Sequence, residues 1–386
     1  MAQTLPNSTP RKLLSEVLPP LVLGTATFNH QYNSDPLSLA TTAIVHKALR
    51  YGIRAFDTSP YYGPAETLLG EALNSQSFVP RSDYILQSKC GRIRADVFDY
   101  SPEWIRQSIQ SSLQRLGTEY LDVVFCHDVE YVEPHEVITA VETLRELRDQ
   151  GLIRYVGISG YPTDVLASLA KAVKELTGEP LDAVMSYAHY TLQNTVLFSK
   201  ALEKLVDSNV DCVLNGSPLG MGLLRRQGVP VGDMGDFHPA PNSLRNRCAE
   251  ASDVVERHGQ NGERLEALAL RFSIEGWIRD GAVVGTAVMP LLGDPASASP
   301  PRIVQVVRPR LGVTVAGVSY INEIDEVAAI WRDVITALER EYLYQKVMDV
   351  FGDEWKDYSW PSPGDGYVPH NGHAEAEDES LLKSRL

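Results

Sequence analysis

Cysteine, basic charge and long apolar runs are all scarce in this chain. Only four of 386 residues are cysteine, Cys90, Cys126, Cys212 and Cys248. They lie far apart with no Cys-x-x-Cys pair, so neither a zinc site nor a redox motif is indicated, and reduced thiols of a cytosolic protein are expected. Nothing approaches the roughly 18 to 20 apolar residues of a membrane span, and the N-terminal stretch is polar with Pro6, Pro10, Pro19 and Pro20. We therefore expect a soluble, cytoplasmic protein without a membrane partner. Lysine and arginine total 35 against 50 acidic residues, a net charge of −15 with a pI near 5.1. That balance argues against nucleic acid or an anionic surface as the main partner. Histidines such as His30, His46 and His135 show no metal-like spacing, so no metal is expected. A glycine-rich dinucleotide fingerprint is missing too: the densest cluster, Gly216 to Gly222, has the wrong spacing for one.

What is present suits a globular enzyme. Hydrophobic residues make up 44% and charged residues 22%, enough to bury a sizeable core. After an arm over residues 1–20, apolar strand-like runs begin at Leu21 and recur near Ala55, Tyr84, Leu121, Tyr155, Ala183 and Val210, each followed by a helical pattern. Helices are expected over 36–52, 65–73, 102–116, 134–150, 163–176, 196–207, 262–277 and 321–346. Ser101-Pro102-Glu103 is a strong helix start, because serine caps, proline tolerates the first turn and glutamate suits the dipole. Val313 to Gly317 offers an eighth strand. Between it and the preceding helix, residues 283–310 contain the Pro/Ser-rich Asp294 to Pro301 and are expected to be a loop insertion. Beyond Trp360 the acidic stretch 361–386 is expected to be a disordered tail, leaving a main domain over 21–350.

Repeated strand-then-helix order without antiparallel turn signals indicates a parallel α/β protein. An open doubly wound sheet and a closed (β/α)8 TIM barrel both place ligands at the carboxyl ends of strands. Successive runs here finish on Asp57, Lys89 and His127, with Tyr61 and Tyr62 just beyond the first, which favours a ring of strands converging on one site. A buried aspartate needs a partner, and Lys89 supplies one. Alone, such a pair would more often be structural; Tyr62 and His127 in register argue for chemistry. A phenol exchanges a proton poorly at neutral pH unless a nearby cation favours tyrosinate. Lys89 is expected to provide that cation, Asp57 to hold Lys89, and His127 to hydrogen-bond the oxygen that exchanges the proton. Cys90, next to Lys89, points to the other face of its strand and is read as packing.

From about Leu21 to Leu338 the chain resembles the aldo-keto reductases. The likeness rests on Gly24-Thr25, on Phe56-Asp57-Thr58 through Tyr62-Gly63, and on Ser217-Pro218-Leu219-Gly220. It implies a (β/α)8 barrel binding a nicotinamide dinucleotide, with Asp57, Tyr62, Lys89 and His127 as the catalytic set. Cofactor contacts implied by the same likeness are Ser159, Ser186, Ser217, Leu219, Gly317, Ser319 and Glu323. Departures stand at Gly160, where an asparagine is common, at Ser186 for a glutamine, and at Gly216 for a stacking aromatic. In Gly317 to Glu323 glycine and glutamate replace the basic residues that clamp a 2′-phosphate, so NAD is expected over NADP. The motifs are most similar to sugar dehydrogenases of the D-arabinose 1-dehydrogenase and L-galactose dehydrogenase type, which oxidise the anomeric carbon of an aldose to a lactone. The substrate implied is a small sugar. The alternatives are an NAD(P)H-dependent aldehyde or ketone reductase and, in another class, a cofactor-binding regulatory subunit.

Overall fold

Along a parallel strand successive side chains face opposite sides, and burial on both sides leaves each strand apolar throughout. The computed structural model, which describes residues 11–260, 262–290, 304–334, 341–364 and 366–368, closes eight such strands into a barrel. In chain order they are β1 (Leu21–Gly24), β2 (Ala55–Asp57), β3 (Ile85–Cys90), β4 (Leu121–His127), β5 (Ile153–Gly160), β6 (Ala183–Tyr187), β7 (Cys212–Gly216) and, after two further strands, β10 (Val313–Gly317). All neighbours are parallel, and β10 closes the ring between β7 and β1. The expected eighth strand is thus correct. The seventh starts two residues later than the pattern suggested, at Cys212 rather than Val210.

Two cores result. Val22, Ala55, Val123, Phe125, Tyr155, Ala183, Met185, Leu214, Val313 and Val315 fill the barrel interior. Alternate residues such as Phe56, Leu86, Val124 and Cys126 face outward onto the helical layer. That layer includes α1 (Thr41–Tyr51), α2 (Ala65–Asn74), α3 (Pro102–Leu116), α4 (Pro134–Asp149), α5 (Thr163–Thr177) and the short α6 (Leu202–Asp207). Ser101 caps α3 by accepting from the Trp104 amide at 3.3 Å, and Gly117 ends it with φ 61°. Residues 36–52 divide into a 3-10 turn (Pro36–Ser38) and α1. A helix not anticipated, α7 (Asn242–His258), buries Leu244, Cys248, Ala251 and Val255 at helical spacing before α8 (Leu265–Asp280). Within 321–346 the described residues are helical, in α9 (Ile321–Val334) and from Glu341 into α10 (Glu341–Trp355); residues 335–340 lie outside the described residues.

Three expectations change. Within residues 1–20, Leu14 and Leu18 are buried against the starts of the barrel strands and close that end of the interior. The expected loop insertion 283–310 instead contains β8 (Thr286–Pro290) and β9 (Val304–Leu311), paired antiparallel. β-Branched residues flank the Pro/Ser tract on both sides, and such residues pair well in a sheet; the tract itself lies outside the described residues. Thr286 Oγ1 donates to the Ser15 carbonyl at 3.0 Å, which places this hairpin beside the arm, at the closed end of the barrel. Finally, the stretch expected to be a disordered tail begins as packed structure. Just before it, Trp360, 5% exposed, stacks on Tyr161 at 4.6 Å and meets His238 edge-on at 4.9 Å. Ser362 hydrogen-bonds Tyr131 Oη at 2.9 Å, and the Tyr367 ring meets Tyr131 at 5.2 Å. Residues beyond 368 lie outside the described residues.

Candidate active site

Strand parity decides what reaches the open end of the barrel. The last inward position of each strand falls on Gly24, Asp57, Lys89, His127, Ser159, Tyr187, Gly216 and Gly317, and all of these line one cavity of 780 Å³. Ser217, Leu219, Ser319, Glu323 and Tyr62 line it as well. Ser186 does not. It is one residue out of phase with inward-facing Met185 and Tyr187, and its hydroxyl is hydrogen-bonded to His189 Nδ1 at 3.2 Å behind the strand. The Ser186 hydroxyl thus supports His189, which also bonds Ser359 Oγ at 3.2 Å and packs on Tyr161 at 4.2 Å.

The charged flank comes from β2, β3 and β4. Lys89 Nζ donates to Asp57 Oδ2 at 2.6 Å and to the Thr58 carbonyl at 3.0 Å. Its ammonium stands 4.8 Å from the centre of the Tyr62 ring. His127 meets that ring edge-on at 5.6 Å, with an interplanar angle of 88°. Ser59 Oγ accepts the Tyr61 amide at 3.1 Å and lies 3.1 Å from His127 Nδ1; with the serine proton given to Nδ1, the imidazole carries its proton on Nε2. The turn that delivers Tyr62 continues through Gly63 at φ 57°, a left-handed conformation that favours glycine.

Burial dominates the electrostatics. It pushes the His127 imidazole down to about 3, against the opposing pull of Asp128, so the ring is neutral near neutral pH. It raises the Asp57 carboxyl despite Lys89. For Tyr62 the expected lowering is reversed: burial first, then Asp57 and Asp128, hold the phenol well above its ordinary value. The Lys89 ammonium faces the ring and shares its charge with Asp57, which limits its hold on the phenol oxygen. The four groups can hold a carbonyl or hydroxyl oxygen between the Tyr62 phenol and His127 Nε2–H, and can exchange a proton with it.

The opposite flank is almost bare backbone. β1, β10 and β7 are neighbours in the ring, and their last inward residues are Gly24, Gly317 and Gly216. A Cβ at Gly24 would come within 3.2 Å of Val315 Cγ1, one at Gly317 within 3.2 Å of Thr27 Cγ2, and one at Gly216 within 3.3 Å of the Ser186 carbonyl. Three adjacent strand ends without side chains leave room for a flat, extended group against the wall, as a nicotinamide dinucleotide would require. Tyr187, paired in register with Gly216, supplies the aromatic surface that Gly216 lacks. At the start of α9, Glu323 Oε2 accepts from the Ser319 and Tyr320 amides at 2.6 and 3.0 Å. Among the described residues no group of three histidines, cysteines or acids could hold a metal ion, and no helix is long and apolar enough to cross a membrane.

Several lining residues escaped the sequence. Arg92 and Asp128 form an ion pair in the wall, and Tyr131, Arg225, Trp360 and Ser362 close the rim. Trp360 and Ser362 carried no local signal, because they arrive from the far end of the chain.

Comparisons with known proteins agree with this geometry. Residues 20–346 match the model of the Aldo/keto reductase family. The chain is 41% identical over 268 residues to D-arabinose 1-dehydrogenase of Saccharomyces cerevisiae, covering 69% of this chain and 78% of that protein. It is 37% identical over 247 residues to L-galactose dehydrogenase of Arabidopsis thaliana, covering 63% and 72%. A solved aldo-keto reductase from Bacillus halodurans, in its holo form, superposes with a TM-score of 0.59 over 92% of this chain and 98% of that one, at 19% identity, a likeness of fold.

Proposed function

Since the chain belongs to the aldo/keto reductase family, we propose that it is an aldose 1-dehydrogenase, oxidising the anomeric carbon of a D-arabinose- or L-galactose-type sugar to a lactone with NAD. The observation that carries this reading is the buried Asp57–Lys89 pair beneath Tyr62, with neutral His127 at the ring edge, facing a flank of bare backbone. The sugar-dehydrogenase relatives support the choice of substrate class.

Bound along the bare flank, the nicotinamide would supply the hydride acceptor. Ser159, Ser217, Leu219, Gly317 and Ser319 would hold the dinucleotide, with Tyr187 as an aromatic surface beside the ring. In the oxidative direction Tyr62 takes the proton from the anomeric hydroxyl. His127 donates its Nε2–H to the same oxygen and fixes its direction. Lys89 places positive charge under the Tyr62 ring as phenolate character is lost or gained, and Asp57 keeps Lys89 from swinging into the cavity.

NAD is favoured over NADP by Glu323. The two amides at the start of α9 that could bind a phosphate are already taken by its carboxylate. A 2′-phosphate would meet like charge there, whereas a ribose hydroxyl could donate to it.

A second reading, reduction of an aldehyde or ketone with the same residues, draws on one observation. Burial keeps Tyr62 a phenol, the form that gives a proton. The deciding experiment is reduction of NAD and of NADP, followed by absorbance, against D-arabinose, L-galactose and L-fucose, beside oxidation of NADH and NADPH by simple aldehydes. Faster sugar oxidation supports the dehydrogenase. Silence on sugars with rapid aldehyde turnover overturns it in favour of the reductase.

A further inference from the structure

The cavity wall carries a buried ion pair for which the proton-transfer scheme has no use. Asp128 directly follows His127 in a left-handed conformation, φ 57°, that turns its side chain to the cavity at 2% exposure. Oδ2 is bound by Arg92 and lies 3.6 Å from His127 Nε2. Oδ1 is buried and has no partner among the described residues. Arg92 gives two further donors to the protein, Nη2 to the Ala95 carbonyl at 2.9 Å and Nε to that of Arg94 at 3.3 Å, with the guanidinium 4.0 Å from the centre of the Tyr61 ring. The guanidinium thus secures Asp128.

A buried ion pair contributes little net stability, and an unpaired buried carboxylate oxygen is costly. A ligand in the cavity that donates to the Asp128 carboxylate offsets that cost. The carboxylate only accepts, so the complementary group is a hydroxyl, while carboxylated or phosphorylated compounds meet like charge. An oxygen held by His127 Nε2 and a hydroxyl on the neighbouring carbon can reach Nε2 and Asp128 together.

We propose that Asp128, held in place by Arg92, is a specificity-determining residue that accepts a hydrogen bond from the hydroxyl on the carbon next to the reacting carbon of a neutral sugar. This rests on the aldose-oxidising function proposed above. It selects hydroxylated aldoses over simple aldehydes and over charged sugars by a single acceptor.

The test compares D-arabinose with 2-deoxy-D-ribose, the same sugar without that hydroxyl, in the native enzyme and in Asp128→Asn. L-galactose and L-fucose, which differ far from the anomeric carbon, serve as the control pair. In the native enzyme loss of the neighbouring hydroxyl is expected to lower kcat/KM about 10- to 100-fold. In Asp128→Asn the same change should cost less than about threefold, while the L-galactose to L-fucose ratio stays equal in both proteins. If Asp128→Asn does not fold, Asp128→Glu, which keeps the charge facing Arg92 but displaces the oxygens, takes its place with the same expected narrowing. Equal loss in native and variant enzyme, or no loss in either, overturns the proposal while leaving aldose oxidation intact. No turnover of any aldose overturns the function and this proposal with it.

Discussion

Lys89 places its ammonium 4.8 Å from the centre of the Tyr62 ring, yet Tyr62 holds its proton more tightly than a phenol in water. Lys89 is already engaged by Asp57 at 2.6 Å, and both carboxylates near the ring, Asp57 and Asp128, oppose ionisation. The cluster therefore keeps a proton on Tyr62.

Tyr62→Phe removes the group that exchanges this proton while keeping the ring against Lys89 and His127. We expect kcat to fall by about 10²- to 10⁴-fold in either direction. Dinucleotide affinity, measured by quenching of protein fluorescence, should stay within about threefold of native. Retained turnover would remove Tyr62 from the proton path.

The rate of oxidation should climb with pH. Only tyrosinate accepts a proton, and a phenol held above its ordinary value of about 10 keeps that form scarce across the neutral range. The kcat/KM for sugar oxidation should rise without a plateau below about pH 10. With His127 depressed to about 3, no inflection is expected near about pH 6.5, the ordinary histidine value. Steady-state pH profiles would show either departure.

Lys89→Met would leave Asp57 buried without its cation. Breaking such a pair costs about 3–5 kcal/mol. A urea melt should show a loss of that order, and turnover should fall with it. A midpoint like the native one would mean that the pair is dispensable for the fold.

Acid should weaken the fold partly through His189. Its pKa is depressed by burial to about 3. A base depressed on folding contributes stability above its unfolded value of about 6.5 and loses it progressively as pH falls towards the folded value. Between about pH 7 and pH 5 the cost is about 2 kcal/mol for this one group. Thermal melts at both pH values should show a smaller drop for His189→Asn than for the native protein.

Glu323→Gln tests the cofactor preference. Its amide cannot repel a phosphate, and it still accepts one amide hydrogen bond at the start of α9. The native kcat/KM ratio of NAD to NADP is expected to exceed about tenfold, and the variant should narrow it by raising activity with NADP. A native ratio near one would refute the discrimination assigned to Glu323.

Much of this molecule could be read from periodicity, because a parallel strand declares itself by apolar residues and a polar end. Asp57, Lys89 and His127 were legible as strand ends, and Tyr62 as the tyrosine beyond the first of them. Ser159, Ser217, Leu219, Gly317, Ser319 and Glu323 were nominated by likeness and do line the cavity. Ser186 lies off it for a reason that is itself local, a side chain one position out of phase with Met185 and Tyr187.

What the chain determines alone is which residues alternate, which turn, and which polar groups end its strands, since those follow from neighbours a few positions away. Closure of the ring decided the remainder. It set bare Gly24, Gly317 and Gly216 side by side, joined Arg92 to Asp128, and brought Trp360 and Ser362 from the C-terminal segment to the rim. It also set the direction of the Tyr62 pKa, because desolvation depends on everything packed around a group, and much of that packing joins residues far apart in the chain.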